Sequence, residues 1–342
     1  MMLNEIRDVL AELGRAYSDR RTQLCRLDAA TLDWGRCALT GAVLDAATLN
    51  EALRHLAERF PDAEFDSGGV EVLRRSPAVY VYVATNLTGL YAEPSFLAEQ
   101  LSELLNGQRL EVLREQERWC FVRQDDGYLG WAYRPYLTID PAPQATHIVC
   151  EPVSLLRARP SVNAALVTRV PGGTMVAVEG GASPWLRVTL AGGLTGWVPA
   201  ADLRPLDAAP TGEADRRTQI IADAWCFVGV PYLWGGCTAL GIDCSGFAQL
   251  LHRLVGLTIP RDADMQYVAG EPVEPPYRPG DLLFFGEAGE RPKITHVAIS
   301  LGGWRIIHSS RSRNGVYGDD VQAVPHLRES FIAGRTFMRS AR

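Results

Sequence analysis

Residues 241–247 read "GIDCSGF" and run straight into the apolar stretch 247–256, "FAQLLHRLVG". Asp243 is a side chain that caps helices, so the spacing predicts a helix opening at residue 244 with Cys244 in its first turn. Unpaired backbone N–H groups and the macrodipole at a helix start stabilise a thiolate, the form of cysteine that attacks a carbonyl. Gly246 allows another backbone or a substrate to come close. Position alone fits a buried core thiol and an activated nucleophile equally well.

The histidines break that tie. Six are present, at positions 55, 147, 252, 296, 308 and 326. His252 lies about two turns along the same helix, too far to serve as a base for Cys244. His55 falls on the polar side of a front helix, His147 at a domain edge and His326 beside a proline. His296 and His308 instead lie inside apolar strand patterns, "THVAISLG" (295–302) and "WRIIHSS" (304–310), joined at Gly302–Gly303. A two-residue turn centred between the glycines pairs 296 with 309 and sends the two imidazoles to opposite faces. A three-residue loop with a left-handed glycine puts 296 directly opposite 308. In that register the residues have the grammar of nucleophile, base and orienter: Cys244, His296 and His308.

Outward from this core, the chain has 342 residues, enough for two to four domains. A net charge of −6 gives no electrostatic reason to expect nucleic acid or an anionic membrane as a partner. The N-terminal stretch is interrupted by Glu5, Arg7, Asp8 and Glu12, and no run approaches the ~18 apolar residues of a membrane helix, so the expected location is cytoplasmic. Seven cysteines at irregular spacing with no CxxC argue against a zinc ribbon or a disulfide framework, and no metal or cofactor is expected.

Residues 1–76 read as a small α/β scaffold, with a helix near the start, strand-like alternation after it, and a second helix capped by Asp45. Residues 79–140 and 147–206 run through the same series twice. A short strand meets a turn with Pro94 or Pro160, a glycine turn leads into a β-branched strand, a Trp opens the next strand (Trp119, Trp185), and Gly-Trp starts a last one (130–131, 196–197). Several short strands in so few residues mean small β-barrels. Pro/Ala-rich linkers at 140–145 and 206–215 separate the modules. The expected boundaries are 1–76, 77–142, 143–208 and 209–342, the last an α+β domain in which a helix packs on an antiparallel sheet and "IPRDADMQ" is a loop.

The barrel endings "DGYLGWAY" and "GGLTGWVP" resemble bacterial SH3 domains. The series "PYLWGG…DCSGF…IPRD…PGDLLFF…HVAISLGG…IIHS" resembles the NlpC/P60 cysteine peptidases of bacterial cell-wall metabolism over about residues 215–340. That resemblance implies a papain-like α+β fold, Cys244 as nucleophile, His296 as base and His308 as third member. It also implies hydrolysis of the bond between D-γ-glutamate and a diamino acid in peptidoglycan stem peptides. Two SH3-like barrels ahead of the catalytic domain look like the γ-D-glutamyl-L-diamino acid endopeptidases that act on peptides with a free N-terminal L-Ala. The implied ammonium pocket matches Asp262 in the catalytic domain and Glu93 and Tyr128 in the first barrel. Tyr232 and Trp234 would line the cleft, with Asp243 and Ser245 near the substrate. Position 263 is Ala where the family often carries a small hydroxyl residue, which puts one hydrogen bond to the peptide in doubt. A pocket demanding a free amine would spare nucleotide-linked precursors, whose L-Ala is acylated, and so suits recycling of released peptides. A cell-wall amidase or acyltransferase of the same fold, and a non-catalytic peptidoglycan-binding protein, are the alternatives.

Overall fold

Four consecutive residues divide two hydrophobic clusters between them. Leu282 and Phe284 enter one, Leu283 and Phe285 the other. Side chains alternate across a strand, so this run belongs to a sheet covered on both faces. In a computed structural model describing residues 3–338, that sheet has six strands: β1 (Glu271–Val273), β2 (Leu282–Glu287), β3 (Lys293–Gly302), β4 (Arg305–Ser310), β5 (Gly315–Asp320) and β6 (Phe331–Thr336). Their order is β1-β6-β2-β3-β4-β5, antiparallel throughout.

Helices α1 (Glu213–Trp225) and α2 (Cys244–Leu254) cover one face. Ile220 and Ala224 from α1 and Phe247, Leu251 and Leu254 from α2 join Leu282, Phe284, Val297, Ile299 and Ile307 in a single core. The segment "IPRDADMQ" is not wholly a loop: residues Ala263–Ala269 form a short helix, α3, with Asp262 at its N-cap position. Burial of Gln266, whose amide bonds the carbonyls of Ser245 and Pro260, holds that turn of helix in place.

The described residues fall into two compact units. One comprises Met1–Val81 and Leu110–Arg134. In it, helices Leu3–Ala16 and Ala46–Arg59 accompany a three-stranded sheet in which Arg36–Val43 pairs antiparallel with Cys25–Asp33 and parallel with Glu64–Val72. Asp45 caps the second helix by accepting from the Thr48 N–H at 3.0 Å. The strands Trp119–Arg123 and Leu129–Tyr133 belong to the same unit. The other unit comprises Tyr82–Arg109 and Pro135–Arg342. It holds the six-stranded sheet, the hairpin Leu87–Tyr91/Gln100–Leu105, and a barrel built on Val149, Leu156, Val170, Val176, Val188, Val198 and Leu203. The strands of the first repeat are thus shared between the two units. Among the described residues no helix is long and apolar enough to cross a membrane.

His252 is completely buried on α2, with its Nδ1 2.7 Å from the Ala248 carbonyl. A carbonyl only accepts, so Nδ1 carries the proton. Burial lowers the pKa of this imidazole from its usual 6.5 to about 4. The folded chain therefore holds the neutral form. Stability from this group is full above pH 6.5 and is lost as pH falls toward 4, by about 3 kcal/mol. His252→Leu should flatten this part of the stability profile in urea titrations at pH 7, 5.5 and 4; an unchanged slope would contradict it.

Candidate active site

Asp243 sits in extended conformation as the N-cap of α2, its Oδ1 accepting from the Gly246 N–H at 2.7 Å. The helix starts at Cys244, so the thiol stands in the first turn. A Cβ at position 246 would lie 2.2 Å from the Gly236 carbonyl oxygen, and only glycine lets the 235–237 loop lie this close to the helix start. Asp243 is committed further. Its Oδ2 accepts from the Gly235 N–H at 2.9 Å and from Arg261 Nη2 at 2.7 Å. Arg261 is 1% exposed. It also donates to Ser245 Oγ at 2.9 Å and to Ser102 Oγ at 3.1 Å. The side chains of Asp243 and Ser245 are therefore spent on one buried network.

That network reaches the hairpin of the first repeat. Glu103 accepts from the Cys237 N–H at 2.7 Å, and Glu99 Oε1 accepts from Trp234 Nε1 at 2.8 Å. Burial raises the Glu103 pKa, against the pull of the Cys237 N–H, Thr238 and Arg261. At Gly235, with φ +75°, a Cβ would meet the Gln100 carbonyl at 2.4 Å.

The thiol lies against the backbone N–H groups of Val297 and Ser245. Val297 follows His296 on β3, so the sulfur is seated beside that histidine's own backbone. His296 Nε2 and His308 Nδ1 are 2.7 Å apart, and His308 Nε2 is 3.0 Å from Asp319 Oδ2. The expected register is corrected. Gly302 pairs with Arg305 across the turn Gly303–Trp304, and an irregularity at Leu301 follows, so Ile299 pairs with Ile307. His308 is then opposite residue 298 rather than 296. The two histidines are diagonal neighbours on one face, within reach of long side chains. Asp319 reaches His308 in the same way, because His308 pairs with Tyr317 on β5.

The protons along this row follow from the carboxylate at its end. A carboxylate accepts only, so His308 donates from Nε2, and in the neutral form of His308 its Nδ1 accepts from His296 Nε2–H. That leaves the lone pair on His296 Nδ1. The hydrogen bond from His308 lowers the Asp319 pKa, and its charge and that of Arg313 add to this against burial. Burial first, then the nearby Asp243 carboxylate, pushes the Cys244 thiol up to about 12. Burial first, then repulsion from the positive charge that His308 and His326 carry when protonated, brings His296 down to about 3. The resting pair is thus neutral thiol and neutral imidazole.

Tyr232 is half-buried, its phenol pushed up to about 12 by burial and then by the negative charge that Cys244 carries when ionised and by Asp243. Trp234 is 53% exposed. Asp262 begins α3, and Glu93 is exposed in the turn between the strands of the hairpin. Tyr128 belongs to the other compact unit, where it is 2% exposed and its N–H donates to Asp126. Arg261 stood in the quoted "IPRD", but nothing in its spacing announced a buried partner for Asp243. Asp319 lies in the strand "GVYGDD", whose two glycines give it little strand signal in the sequence.

A thiol at a helix start, set against an antiparallel sheet that carries linked histidines, defines a cysteine peptidase of papain-like fold. The NlpC/P60 family model matches residues 229–335, and the bacterial SH3 domain model matches 86–138 and 155–204. The chain is 31% identical over 250 residues to dipeptidyl-peptidase 6 of Lysinibacillus sphaericus, which spans 68% of this chain and 89% of that one. It is 30% identical over 237 residues to γ-D-glutamyl-L-lysine dipeptidyl-peptidase of Bacillus cereus, across 63% and 68% of the two chains. The crystal structure of an NlpC/P60 family protein from Bacillus cereus shares the fold, with a TM-score of 0.67 at 23% identity over 76% of this chain and all of that one. The chain belongs to the NlpC/P60 family.

Removing one partner of a buried ion pair leaves the other uncompensated, at about 3–5 kcal/mol. Arg261→Ala should therefore lower the thermal midpoint by several degrees, whereas Arg278→Ala, at a half-exposed pair with Glu213, should not. Equal shifts for the two variants would count against a structural role for Arg261.

Proposed function

We propose that the protein is a dipeptidyl-peptidase that hydrolyses the bond between γ-D-glutamate and a diamino acid in peptides derived from peptidoglycan. The observation that carries this reading is the hydrogen-bonded row His296–His308–Asp319 beside the helix-start thiol of Cys244. It is supported by the similarity to chains named dipeptidyl-peptidase 6 and γ-D-glutamyl-L-lysine dipeptidyl-peptidase.

In this reading Cys244 Sγ attacks the γ-carbonyl carbon as its proton passes to the lone pair on His296 Nδ1. The neutral resting pair makes that transfer part of the attack rather than a step before it. His308 and Asp319 stabilise the imidazolium as it forms. The oxyanion is held by backbone N–H groups at the start of α2, that of Cys244 first among them. Collapse expels the diamino acid's amine with the proton from His296, and water then releases the acyl group from the thioester. Glu93 and Asp262 are the acids we assign to a free N-terminal ammonium, with the Tyr232–Trp234 wall as a further substrate contact. Carboxylate partners are what a desolvated ammonium requires. A demand for that amine directs the enzyme to released peptides in the cytoplasm.

With L-Ala-γ-D-Glu-L-Lys as substrate, the expected products are L-Ala-D-Glu and lysine, with turnover abolished in Cys244→Ala and strongly reduced by N-acetylation. Release of L-Ala alone would defeat the reading, and equal rates on the acetylated peptide would remove the ammonium pocket. Asp319→Asn can present an N–H to His308 and reverse the tautomers along the row. It should lower kcat on the order of 10²-fold with KM little changed. A kcat within twofold of the unaltered enzyme would show that the row ends at His308.

A further inference from the structure

Three arginines stand around the candidate site, and they differ in what neutralises them. Arg261 is paired with Asp243, and Arg313 with Asp319 at 3.1 Å. Arg311, first in the turn between β4 and β5, forms no ion pair with a carboxylate among the described residues. Its guanidinium instead lies 5.5 Å from the centre of the Tyr232 ring and 5.2 Å from that of Trp234. Both rings therefore flank the same cation.

The supports of this cation are themselves held. The Trp234 indole is fixed by its 2.8 Å bond to Glu99. Pro231 and Tyr232 bridge to Gly315 and Ile242, so their segment is tied both to β5 and to the strand residue just before Asp243. Ser310 and Ser312 hydroxyls, 2.7 Å apart, brace the turn that carries Arg311. A guanidinium fixed between two rings loses little conformational entropy when it grips a ligand, and its fork matches a carboxylate. Tyr232, over whose ring Arg311 lies, bridges to Ile242, two residues before Cys244, which places the cation on the segment beside the reacting thiol.

We propose that Arg311 is the carboxylate subsite of this cleft and that it makes a free carboxylate of the substrate a requirement. This deepens the reading above and rests on it for the choice of peptide. A γ-linkage leaves the α-carboxylate of glutamate free beside the scissile bond, and the diamino acid carries a second. Arg311 takes one of these two, and an amide in its place leaves the guanidinium facing a group that cannot balance its charge.

The test is binding and turnover together, on the full chain. Binding to the Cys244→Ala protein is measured by calorimetry for L-Ala-γ-D-Glu-L-Lys, for its glutamyl α-carboxamide, and for its lysine carboxamide. Rates of the enzyme with Cys244 intact are measured on the same three peptides. The expected result is a loss of affinity of about 10- to 100-fold for one of the two amides. That loss should disappear when Arg311→Gln is added, because the variant no longer distinguishes carboxylate from amide, and Arg311→Lys should restore part of it. Which amide suffers identifies which carboxylate is read. If all three peptides bind alike, or if the discrimination survives in Arg311→Gln, the subsite is wrong whatever the turnover. If Arg311-dependent discrimination is present but no peptide is cleaved at the γ-glutamyl bond, the subsite stands and the proposed reaction fails.

Discussion

A guanidinium that is 1% exposed must find its counter-charge inside the protein. Arg261 finds it in Asp243, the residue that also caps α2 and so sets where that helix begins. Start the helix one residue later and Cys244 leaves the first turn, where backbone N–H groups reach its sulfur. The same guanidinium ties down Ser245 and Ser102, and Asp243 ties down Gly235. The position of the thiol, the loop that carries Tyr232 and Trp234, and the seat of the hairpin at 87–105 are therefore settled by one ion pair and its hydrogen bonds. Coulombic attraction is strong here because water is excluded, and the hydrogen bonds of Arg261 to Asp243, Ser245 and Ser102 offset its desolvation.

The sheet works differently, by periodicity. Its strands place His296, His308 and Asp319 along a diagonal across three adjacent strands. No single pair is directly opposed, so each bond spans two residues of offset. The row depends on the irregularity at Leu301, which sets the offset between His296 and His308.

These two mechanisms explain what could be read in advance. The helix start at Cys244 was legible because capping is local, with Asp243 and Gly246 in adjacent sequence. The strand character of "HVAISLG" and "IIHSS" was legible from alternation alone. The register between them was not, since a one-residue irregularity leaves no mark in composition. Arg261 was visible as a letter, but its partners Asp243 and Ser102 are 18 and 159 residues away, and an ion pair of that span has no local signature. Asp319 sits in a six-residue strand with two glycines' worth of weak propensity nearby, "GVYGDD", which reads more readily as a turn. The barrels were recognisable from the spacing of their turns, while the engagement of Glu99 and Glu103 with residues 234–237 depends on surfaces that only the folded chain brings together.

One strand has a consequence for the order of events at the ribosome. β6 is made last of the six, yet it lies between β1 and β2. Until synthesis has passed Thr336, the backbone of Leu282–Glu287 has an open edge whose side chains are almost entirely apolar. A nascent chain released early would carry that edge exposed, a template for pairing with its neighbours. Addition of β6 thus covers an apolar strand edge that earlier-made parts of the sheet leave open.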